Sequence, residues 1–579
     1  MQYTGARILI ESLIEQGVDT IFGYPGGSVT FIYDEIYKHS DKIRHILVSH
    51  EQHGAHAADG YARATGKPGV CIATSGPGAT NMITGIATAY MDSVPLVAIT
   101  ANVPTGLLGK DSFQEVDIAG ISMPVVKHNW IVKNIKDLAE VLREAFIIAV
   151  SGRPGPVLID ISKDVTTAET EWSPKKGKNK KAAEKDDFIS PRTKRLMKRI
   201  QRQTYTVKDI ENAVAIIKES RRPLIYAGGG VNSANAGKEL VMVAERLNAP
   251  VAQSLMGMGA IPRDHRLSTG LIGMHGTVAS NMSAQKADLL LTIGARFSDR
   301  VTSKADVFAK TAKIVHFDID PAEINKNIET HVWVIGNVKQ TLRQLLDKLP
   351  KRLKSEWNGE VEKWKTQVPF PYKKNAESQK NNLHPQFIIE ETAKKLGRNT
   401  IAVTDVGQHQ IWAAQFFPVE HPRSFISSGG LGTMGFGLGA AVGVKIANKR
   451  NPVVLFTGDG CFRMNHGEMA TLNTYNIPVL IVVFKNGVLG MVRQWQTLFF
   501  ERRYAETNLG LYPDFVKLAD AYGIAGFRAK DGNSFLKALS SAYGELSKGR
   551  SALVEAIIDK DENVLPMVPS GKPIDEQIL

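Results

Sequence analysis

The chain has 579 residues, 43% hydrophobic, 22% charged and 7% aromatic, with two cysteines and a formal net charge of +13. At roughly 100 to 200 residues per domain this length predicts about three domains, which excludes a small stapled scaffold, and the ordinary composition excludes global disorder. No apolar run approaches the roughly 18 residues of a membrane span, and Cys71 and Cys461 stand too far apart in apolar contexts for a disulfide framework or thiolate metal site.

The N-terminus enters an amphipathic pattern at once (Ala6, Leu9, Ile10, Leu13, Ile14) without the charged start, apolar stretch and cleavage site of a signal peptide, so the expected location is the cytoplasm. Short apolar runs at 20–22, 45–48, 69–74 and 95–100 alternate with helix-period segments through Gly/Pro-rich loops, the pattern of a parallel sheet wrapped by helices. A linker at 172–206 follows. Its core, 175–202, holds twelve Lys/Arg against three acidic residues, so +9 of the chain's +13 sits in one polar stretch. That is the composition of a solvated connection, and no nucleic-acid partner is expected. A second α/β region, 207–349, shows a strand at 223–227 followed by Gly228-Gly229-Gly230, then strands at 288–293 and 313–319. The next linker, 350–382, carries Trp357, Trp364, Phe370 and Tyr372, which are expected to pack it against a neighbouring domain. The alternation returns over 383–560 with a strand at 401–404, a helix at 409–416, a Gly-rich helix from Gly435 and strands at 452–457 and 478–484, and 561–579 reads as a tail. The predicted fold is α/β, with three doubly wound parallel sheets at 1–171, 207–349 and 383–560.

Gly458-Asp459-Gly460 reads as a tight turn at a strand end, and Asn486 follows the next strand 27 residues later. One helix and one strand fit that interval, and a parallel crossover returns both residues to the same carboxyl edge. A carboxylate and an amide oxygen there suit Mg²⁺, which takes oxygen ligands and often phosphate oxygens. Glu51, in Ser49-His50-Glu51-Gln52-His53-Gly54, opens a helix directly after a strand, where a carboxylate complements the dipole. Ser75-Gly76-Pro77-Gly78-Ala79-Thr80-Asn81 reads as a strand-to-helix turn.

Further motifs stand in order along the chain: Tyr24-Pro25-Gly26-Gly27, Phe113-Gln114-Glu115, Ser151-Gly152-Arg153-Pro154-Gly155-Pro156, Gly273-Met274-His275-Gly276, Arg296-Phe297-Ser298-Asp299-Arg300-Val301, Gly407-Gln408-His409-Gln410, Gly429 to Gly435, and Met491-Val492-Arg493-Gln494-Trp495-Gln496. With these, essentially the whole chain resembles the catalytic large subunits of acetohydroxyacid synthase (acetolactate synthase), a branch of the thiamine-diphosphate enzymes. The resemblance implies decarboxylation of pyruvate on thiamine diphosphate and transfer of the two-carbon unit to a second pyruvate or to 2-ketobutyrate. That is the first common step of branched-chain amino acid synthesis.

Carried onto this chain, the resemblance gives Glu51 the contact to the cofactor's pyrimidine ring and a proton relay. Gly432 and Met434 would hold the ring and the bent cofactor shape. Gly407, Gln408, His409, Gly460 and Cys461 would cradle the diphosphate. Asp459, Asn486 and the Val488 carbonyl would bind Mg²⁺. Donors near Gly27 and Gln114 would stabilise the developing oxyanion. Arg300 would clamp the acceptor carboxylate, with Phe113, Lys163, Met491 and Trp495 as pocket walls. FAD, in a structural role, would lie against Arg153, Gly228, Gly229, Met274, His275, Arg296, Arg300, Asp318 and Asn337. A homodimer sharing its active sites, possible pairing into tetramers, and a small regulatory subunit are also implied. Three positions depart from the family pattern: Lys485 for Asn, Gly467 for Gln and Asn337 for Asp. The first adds a cation beside the expected metal site, and the last removes a carboxylate from the expected FAD edge. The nearest rival readings are a pyruvate oxidase, a sulfoacetaldehyde acetyltransferase, an FAD-free catabolic acetolactate synthase or a non-catalytic scaffold. The FAD motifs, the Phe113-Gln114 loop, Trp495 and the intact Glu51, Asp459 and Asn486 count against them.

Overall fold

The computed structural model describes residues 1–174, 205–350, 356–367, 383–510 and 512–579, with 191, 194, 195 and 198 as isolated positions. Most of the basic run at 175–202, together with Phe370 and Tyr372, lies outside the described residues. Three six-stranded parallel sheets carry the fold, and a two-stranded antiparallel ribbon joins Gln2–Thr4 to Glu169–Glu171. Among the described residues no helix is long and apolar enough to cross a membrane.

The chain divides into two compact units. The first comprises residues 1–201 with 428–450 and 463–479. Its sheet runs, in spatial order, Arg44–Leu47, Thr20–Tyr24, Gly69–Ala73, Leu96–Asn102, Pro156–Ser162 and His128–Val132. The central strands are buried along their whole length, as expected where helices cover both faces. The glycine-rich helix Gly437–Ala447 joins this unit by packing on the helix Glu51–Thr65. The approach is so close that a Cβ on Gly443 would stand 1.8 Å from the Ala57 carbonyl oxygen, and one on Gly60 would stand 2.2 Å from that of Ala440. Glycine costs about 1 kcal/mol in a helix, so its presence at both faces of this contact reflects the need for backbone proximity.

The second unit comprises 202–427, 451–462 and 480–579, and holds two sheets. The sheet from the middle of the chain runs Ser268–Leu271, Val251–Gln253, Pro223–Ala227, Leu289–Ile293, Lys313–Asp318, Val332–Ile335. This is the 3-2-1-4-5-6 order of dinucleotide-binding sheets, and its reversal point lies between Pro223–Ala227 and Leu289–Ile293. Trp357 is buried, donates its indole N–H to the Pro223 carbonyl at 3.1 Å and meets Trp364 edge-on at 5.6 Å, so both aromatics pack on the middle region as expected. The last sheet runs Phe425–Ile426, Ile401–Thr404, Val453–Gly458, Leu480–Lys485, Ala552–Ile557, Ala525–Ala529.

Two local expectations need correction. Gly458-Asp459-Gly460 is no free-standing turn: the strand Val453–Gly458 runs straight into the helix Asp459–Asn465, whose first residue places its carboxylate on the Gly460 N–H at 2.9 Å. The segment read as a tail is built into the fold, since Val568 and Ile574 share a core with Leu224, Tyr226, Leu290 and Phe297 of the middle sheet. Cys71 and Cys461 are buried and not joined in a disulfide, and burial pushes the Cys71 thiol up to about 12.

Candidate active site

In the first unit the carboxyl ends of the parallel strands gather most of the residues singled out there. Gly27 follows Thr20–Tyr24, Glu51 follows Arg44–Leu47, and the loop 75–81 follows Gly69–Ala73. Phe113 and Gln114 follow Leu96–Asn102, and Lys163 directly follows Pro156–Ser162. Glu51 is the first residue of its helix, capped by His50, whose ring accepts from the Gln52 N–H at 3.2 Å. Its carboxylate is held from the neighbouring loop: Asn81 donates to Oε2 at 3.0 Å, and a Cβ on Gly78 would come within 3.2 Å of Oε1. Gly76 (φ +60°) lies against Gln114, itself at φ +58°, and a Cβ on Gly76 would stand 2.9 Å from the Gln114 Cα. A Cβ on Gly27 would meet nothing, and Phe113 is 88% exposed, so this corner is open. Tyr33 donates to or accepts from His45 Nε2 at 3.0 Å. Burial pushes its phenol up, with the Glu51 carboxylate as the second cause, and burial lowers His45 to about 4.

Glu468 marks a feature the sequence reading missed. Its buried carboxylate accepts from the backbone N–H of Ser49 at 2.9 Å and of His50 at 3.2 Å, lies 3.1 Å from His53 Nδ1, and takes the Thr471 hydroxyl at 2.6 Å. It thereby fixes the turn that delivers Glu51. Gly432, at φ +70°, and Met434 stand in the loop ahead of the helix Gly437–Ala447. Arg153 donates to the Ser93 hydroxyl at 2.7 Å, in the first unit; the other residues of the expected FAD set belong to the second.

In the second unit the last sheet brings together the expected diphosphate and metal residues. The strand Ile401–Thr404 leads through Gly407, at φ +152°, into the helix Gln408–Phe416. His409 packs its ring against Gly407 and Gly458, where Cβ atoms would stand 2.9 Å away. Burial lowers this imidazole to about 3 and keeps it neutral. Asp459 and Asn486 leave adjacent strands paired Gly458 to Phe484. Asp459 Oδ2 takes the Gly487 N–H at 2.7 Å, and Asn486 Oδ1 takes that of Val488 at 3.1 Å. Cys461 donates its thiol to the Val406 carbonyl at 2.9 Å. Met491 and Trp495 lie one helical turn apart on Gly490–Phe499, with Trp495 edge-on to Phe499 at 5.4 Å.

The donor set fits a magnesium-bound diphosphate. Asp459 and Asn486 supply oxygen ligands of the kind Mg²⁺ takes, and two buried polar atoms beside them, Gln408 Oε1 and His409 Nε2, have no hydrogen-bond partner among the described residues. Lys485 does not disturb this arrangement: its ammonium lies 3.4 Å from buried Glu555 and over the Phe515 ring, and Arg528 shares the same carboxylate at 2.7 Å.

On the middle sheet, Gly228 sits at the topological reversal, so close to the next strand end that a Cβ would stand 2.3 Å from the Gly294 carbonyl oxygen. Met274 and Arg300 pair through backbone at 2.8 Å and side chains at 3.7 Å. His275, lowered to about 4 by burial, meets the Pro566 carbonyl at 3.2 Å. Gly229, Arg296 and Asp318 flank the same carboxyl edge. Asn337 caps the helix Val338–Lys348, accepting from Lys339 N at 3.0 Å and Gln340 N at 3.4 Å, a role Asn fills as well as Asp. The crevice above these strand ends is the place where such sheets take a dinucleotide, and it fits FAD.

Three thiamine pyrophosphate enzyme family models match, the N-terminal TPP binding domain at residues 3–121, the central domain at 210–345 and the C-terminal TPP binding domain at 405–556. The chain is 45% identical to the acetolactate synthase large subunit of Corynebacterium glutamicum, with 98% of this chain and 89% of that protein covered. It is 44% identical to the probable acetolactate synthase large subunit of Methanocaldococcus jannaschii (98% and 94% covered) and 41% identical to acetolactate synthase isozyme 3 large subunit of Escherichia coli (100% and 98%). The chain belongs to the thiamine pyrophosphate enzyme family, and within it to the acetolactate synthase large subunits.

Proposed function

We propose that Glu51 is the proton-handling group of an acetolactate synthase whose metal diphosphate is seated at the Asp459–Asn486 edge. The family reaction joins two 2-keto acids with loss of CO₂: pyruvate with pyruvate gives 2-acetolactate, and pyruvate with 2-ketobutyrate gives 2-aceto-2-hydroxybutyrate. Thiamine diphosphate, when bound, supplies a thiazolium carbon that attacks a keto carbon and accepts the electrons released with CO₂. The chain's own residues do the rest. Glu51, fixed by Asn81, exchanges a proton with the pyrimidine ring. Gly432 and Met434 hold that ring, and Gly407, Gln408, His409, Gly460 and Cys461 seat the diphosphate. Asp459, Asn486 and the Val488 carbonyl bind Mg²⁺. Gly27 and Gln114 face the oxygen that gains charge, Arg300 orients the acceptor carboxylate, and Phe113, Lys163, Met491 and Trp495 wall the pocket. FAD lies on the middle sheet against Arg153, Gly228, Gly229, Met274, His275, Arg296, Asp318 and Asn337. With no carboxylate at 337 it is retained less firmly than where Asp stands.

The division into 1–171, 207–349 and 383–560 belongs to this proposal, as do a cytoplasmic location, a homodimer that shares its active sites and a small regulatory subunit. The family models fall inside those bounds, and the large-subunit names of the relatives support a partner subunit. The observation that carries the reading is the Glu51 carboxylate, pinned by Asn81 and accommodated by Gly78 at the head of its helix. Full-length protein stripped of small molecules and reloaded with FAD is incubated with pyruvate, thiamine diphosphate and Mg²⁺. Acetolactate and CO₂ formed in equal amounts are expected, dependent on both additions. Acetate or acetyl phosphate as the product, or no turnover, would overturn it.

A further inference from the structure

The helix Gly490–Phe499 docks on the second unit through a polar side chain. Among its described residues only Gln494 is buried, at 2% exposure, while the apolar Val492, Leu498 and Phe499 are left exposed. A surface helix ordinarily buries an apolar stripe and keeps its amides in water, because a buried amide is costly unless its polar atoms are paired. Those of Gln494 are paired. Its Nε2 donates to the Val564 carbonyl at 3.0 Å and its Oε1 takes the Val564 N–H at 2.9 Å, so one side chain closes on both polar groups of one backbone residue. The same Oε1 accepts from Gln408 Nε2 at 3.0 Å, and that Nε2 also donates to the Glu562 carbonyl at 2.9 Å.

The segment on the other side needs these partners. Residues 562–566 lie in no sheet, and Val564 is fully buried, so their backbone groups must be satisfied from elsewhere. Side chains do it: the carbonyls of Glu562, Val564 and Leu565 take the amides of Gln408, Gln494 and Gln415, and that of Pro566 meets His275 Nδ1 at 3.2 Å. Gln408 and Gln415 stand about two turns apart on the helix Gln408–Phe416. Next to Gln494, Arg493 pairs with Asp561 at 2.8 Å. The segment therefore ties the helix that Gln408 opens to the helix that carries Met491 and Trp495.

The Glu562 carbonyl can only accept, so Gln408 must turn its NH₂ group toward the segment and its Oε1 away from it. That Oε1 lies at the start of the other helix. A Cβ on Gly490 would collide with it and stand 2.9 Å from Asn486 Nδ2, so the Gln408 amide, the helix start and an expected metal ligand meet at one point. We propose that Gln494 is a positioning residue, through which residues 562–567 hold the Gln408 amide and the helix of Met491 and Trp495 in one register. The inference rests on the reading that Gln408 belongs to the diphosphate seat and that Met491 and Trp495 wall the acceptor pocket.

The choice of an amide distinguishes this from plain core support. Apolar burial is non-directional and holds a helix by area, so it tolerates a small slide or rotation. A planar amide that makes three hydrogen bonds to two different segments fixes rotation as well as distance. A Met at 494 would fill a similar volume, yet it would leave the Val564 N–H and carbonyl and one Gln408 hydrogen without their partner.

The test uses the full chain loaded with FAD. Amide exchange is followed at Val564, and thiamine diphosphate binding is titrated by protein fluorescence with Mg²⁺ present and no substrate. In Gln494→Met, exchange at Val564 should rise at least about 10-fold and the binding midpoint about 3- to 10-fold, from the loss of buried hydrogen bonds. The strands Val453–Gly458 and Leu480–Lys485 should exchange as in wild type. At saturating cofactor, the ratio of 2-aceto-2-hydroxybutyrate to 2-acetolactate from a fixed substrate mixture should fall by about 3-fold, as a wall that shifts discriminates less by one methylene. Gln494→Glu decides the matter if the Met variant does not fold. Its carboxylate turns an oxygen to the Val564 carbonyl, whereas the protonated form donates there, so relative to wild type its midpoint should be worse at about pH 8 than at about pH 6. Faster exchange at Val564 with midpoint and product ratio unmoved would overturn the inference and leave Gln494 as an anchor of the C-terminal segment alone. Unchanged exchange at Val564, or a Glu variant matching wild type at both pH values, would overturn it too. A wild type that binds no thiamine diphosphate would instead overturn the functional reading, and the positioning role with it.

Discussion

The first and last sheets share one strand order, with the second strand at an edge followed by the first, third, fourth, sixth and fifth, yet their carboxyl edges are made of different materials. The first edge is organised by charge: Glu51 held by Asn81, and Glu468 taking the N–H groups of Ser49 and His50. The last edge relies more on backbone and neutral groups: glycines at positive φ at 407 and 487, a neutral His409, and amide side chains at 408 and 486 beside the carboxylates Asp405 and Asp459. The wiring decides where loops converge, and the loops decide what chemistry is offered there. An edge that must move a proton keeps a carboxylate in fixed geometry, and an edge that must receive a metal diphosphate keeps donors and oxygen ligands in reserve.

The largest break in this comparison comes from Glu51→Gln. It should cut acetolactate formation by about 100-fold or more while thiamine diphosphate and Mg²⁺ still bind within a few-fold of wild type, because only the proton relay is lost. Near-normal turnover would remove Glu51 from its assigned role. Asp459→Asn should do the reverse. The Mg²⁺ concentration for half-maximal activation should rise roughly 10- to 100-fold, with much of the turnover recovered at high metal. A variant that metal cannot rescue would place Asp459 outside the metal shell.

Acid sharpens the comparison. His409 has its folded value lowered to about 3 from an ordinary value near 6.5, so between those limits the unfolded chain binds the extra proton. The stability this neutral imidazole contributes is complete above pH 6.5 and is lost as pH falls toward 3, about 2 kcal/mol between pH 7 and pH 5. The urea midpoint of the cofactor-free protein, measured at both pH values, should fall less in His409→Gln than in wild type; equal falls would show that His409 does not govern the loss. The smallest effect concerns Trp495→Leu, which should reduce the preference for 2-ketobutyrate over pyruvate as acceptor by about 10-fold, the discrimination available from one methylene in an apolar pocket. The ratio of the two products at fixed pyruvate and varied 2-ketobutyrate reads it directly, and an unchanged ratio would reduce Trp495 to packing against Phe499.

The sequence made the loop edges readable because each lies where an apolar run meets Gly, Pro or a polar cluster. The strands expected at 20–22, 69–74, 401–404 and 452–457 appear as Thr20–Tyr24, Gly69–Ala73, Ile401–Thr404 and Val453–Gly458. Glu51, Asp459 and Asn486 could be placed on such edges by spacing alone, and their roles came from resemblance. Glu468 could not be found this way. Its partners stand about 420 residues away, and a Glu amid a helical stretch reads locally as a surface charge. The helix Gly437–Ala447 was legible as a helix, but not its membership of the first unit, because the glycines that permit it, Gly60 and Gly443, read locally as a helix penalty.

The last residues of the chain have a consequence for how the protein is made. Val568 and Ile574 complete a core with strands of the middle sheet, the Val568 N–H binds the Met274 carbonyl at 2.8 Å, and Asn281 reaches the Ile574 carbonyl at 2.8 Å. Roughly 230 residues separate the last strand of that sheet, Val332–Ile335, from Val568. At about 5 to 20 residues per second the ribosome needs roughly 10 to 50 s to bridge that interval. Throughout it, the core around Leu224, Tyr226, Leu290 and Phe297 lacks Val568 and Ile574, so this part of the nascent middle sheet is completed only after residues 568–574 have been made.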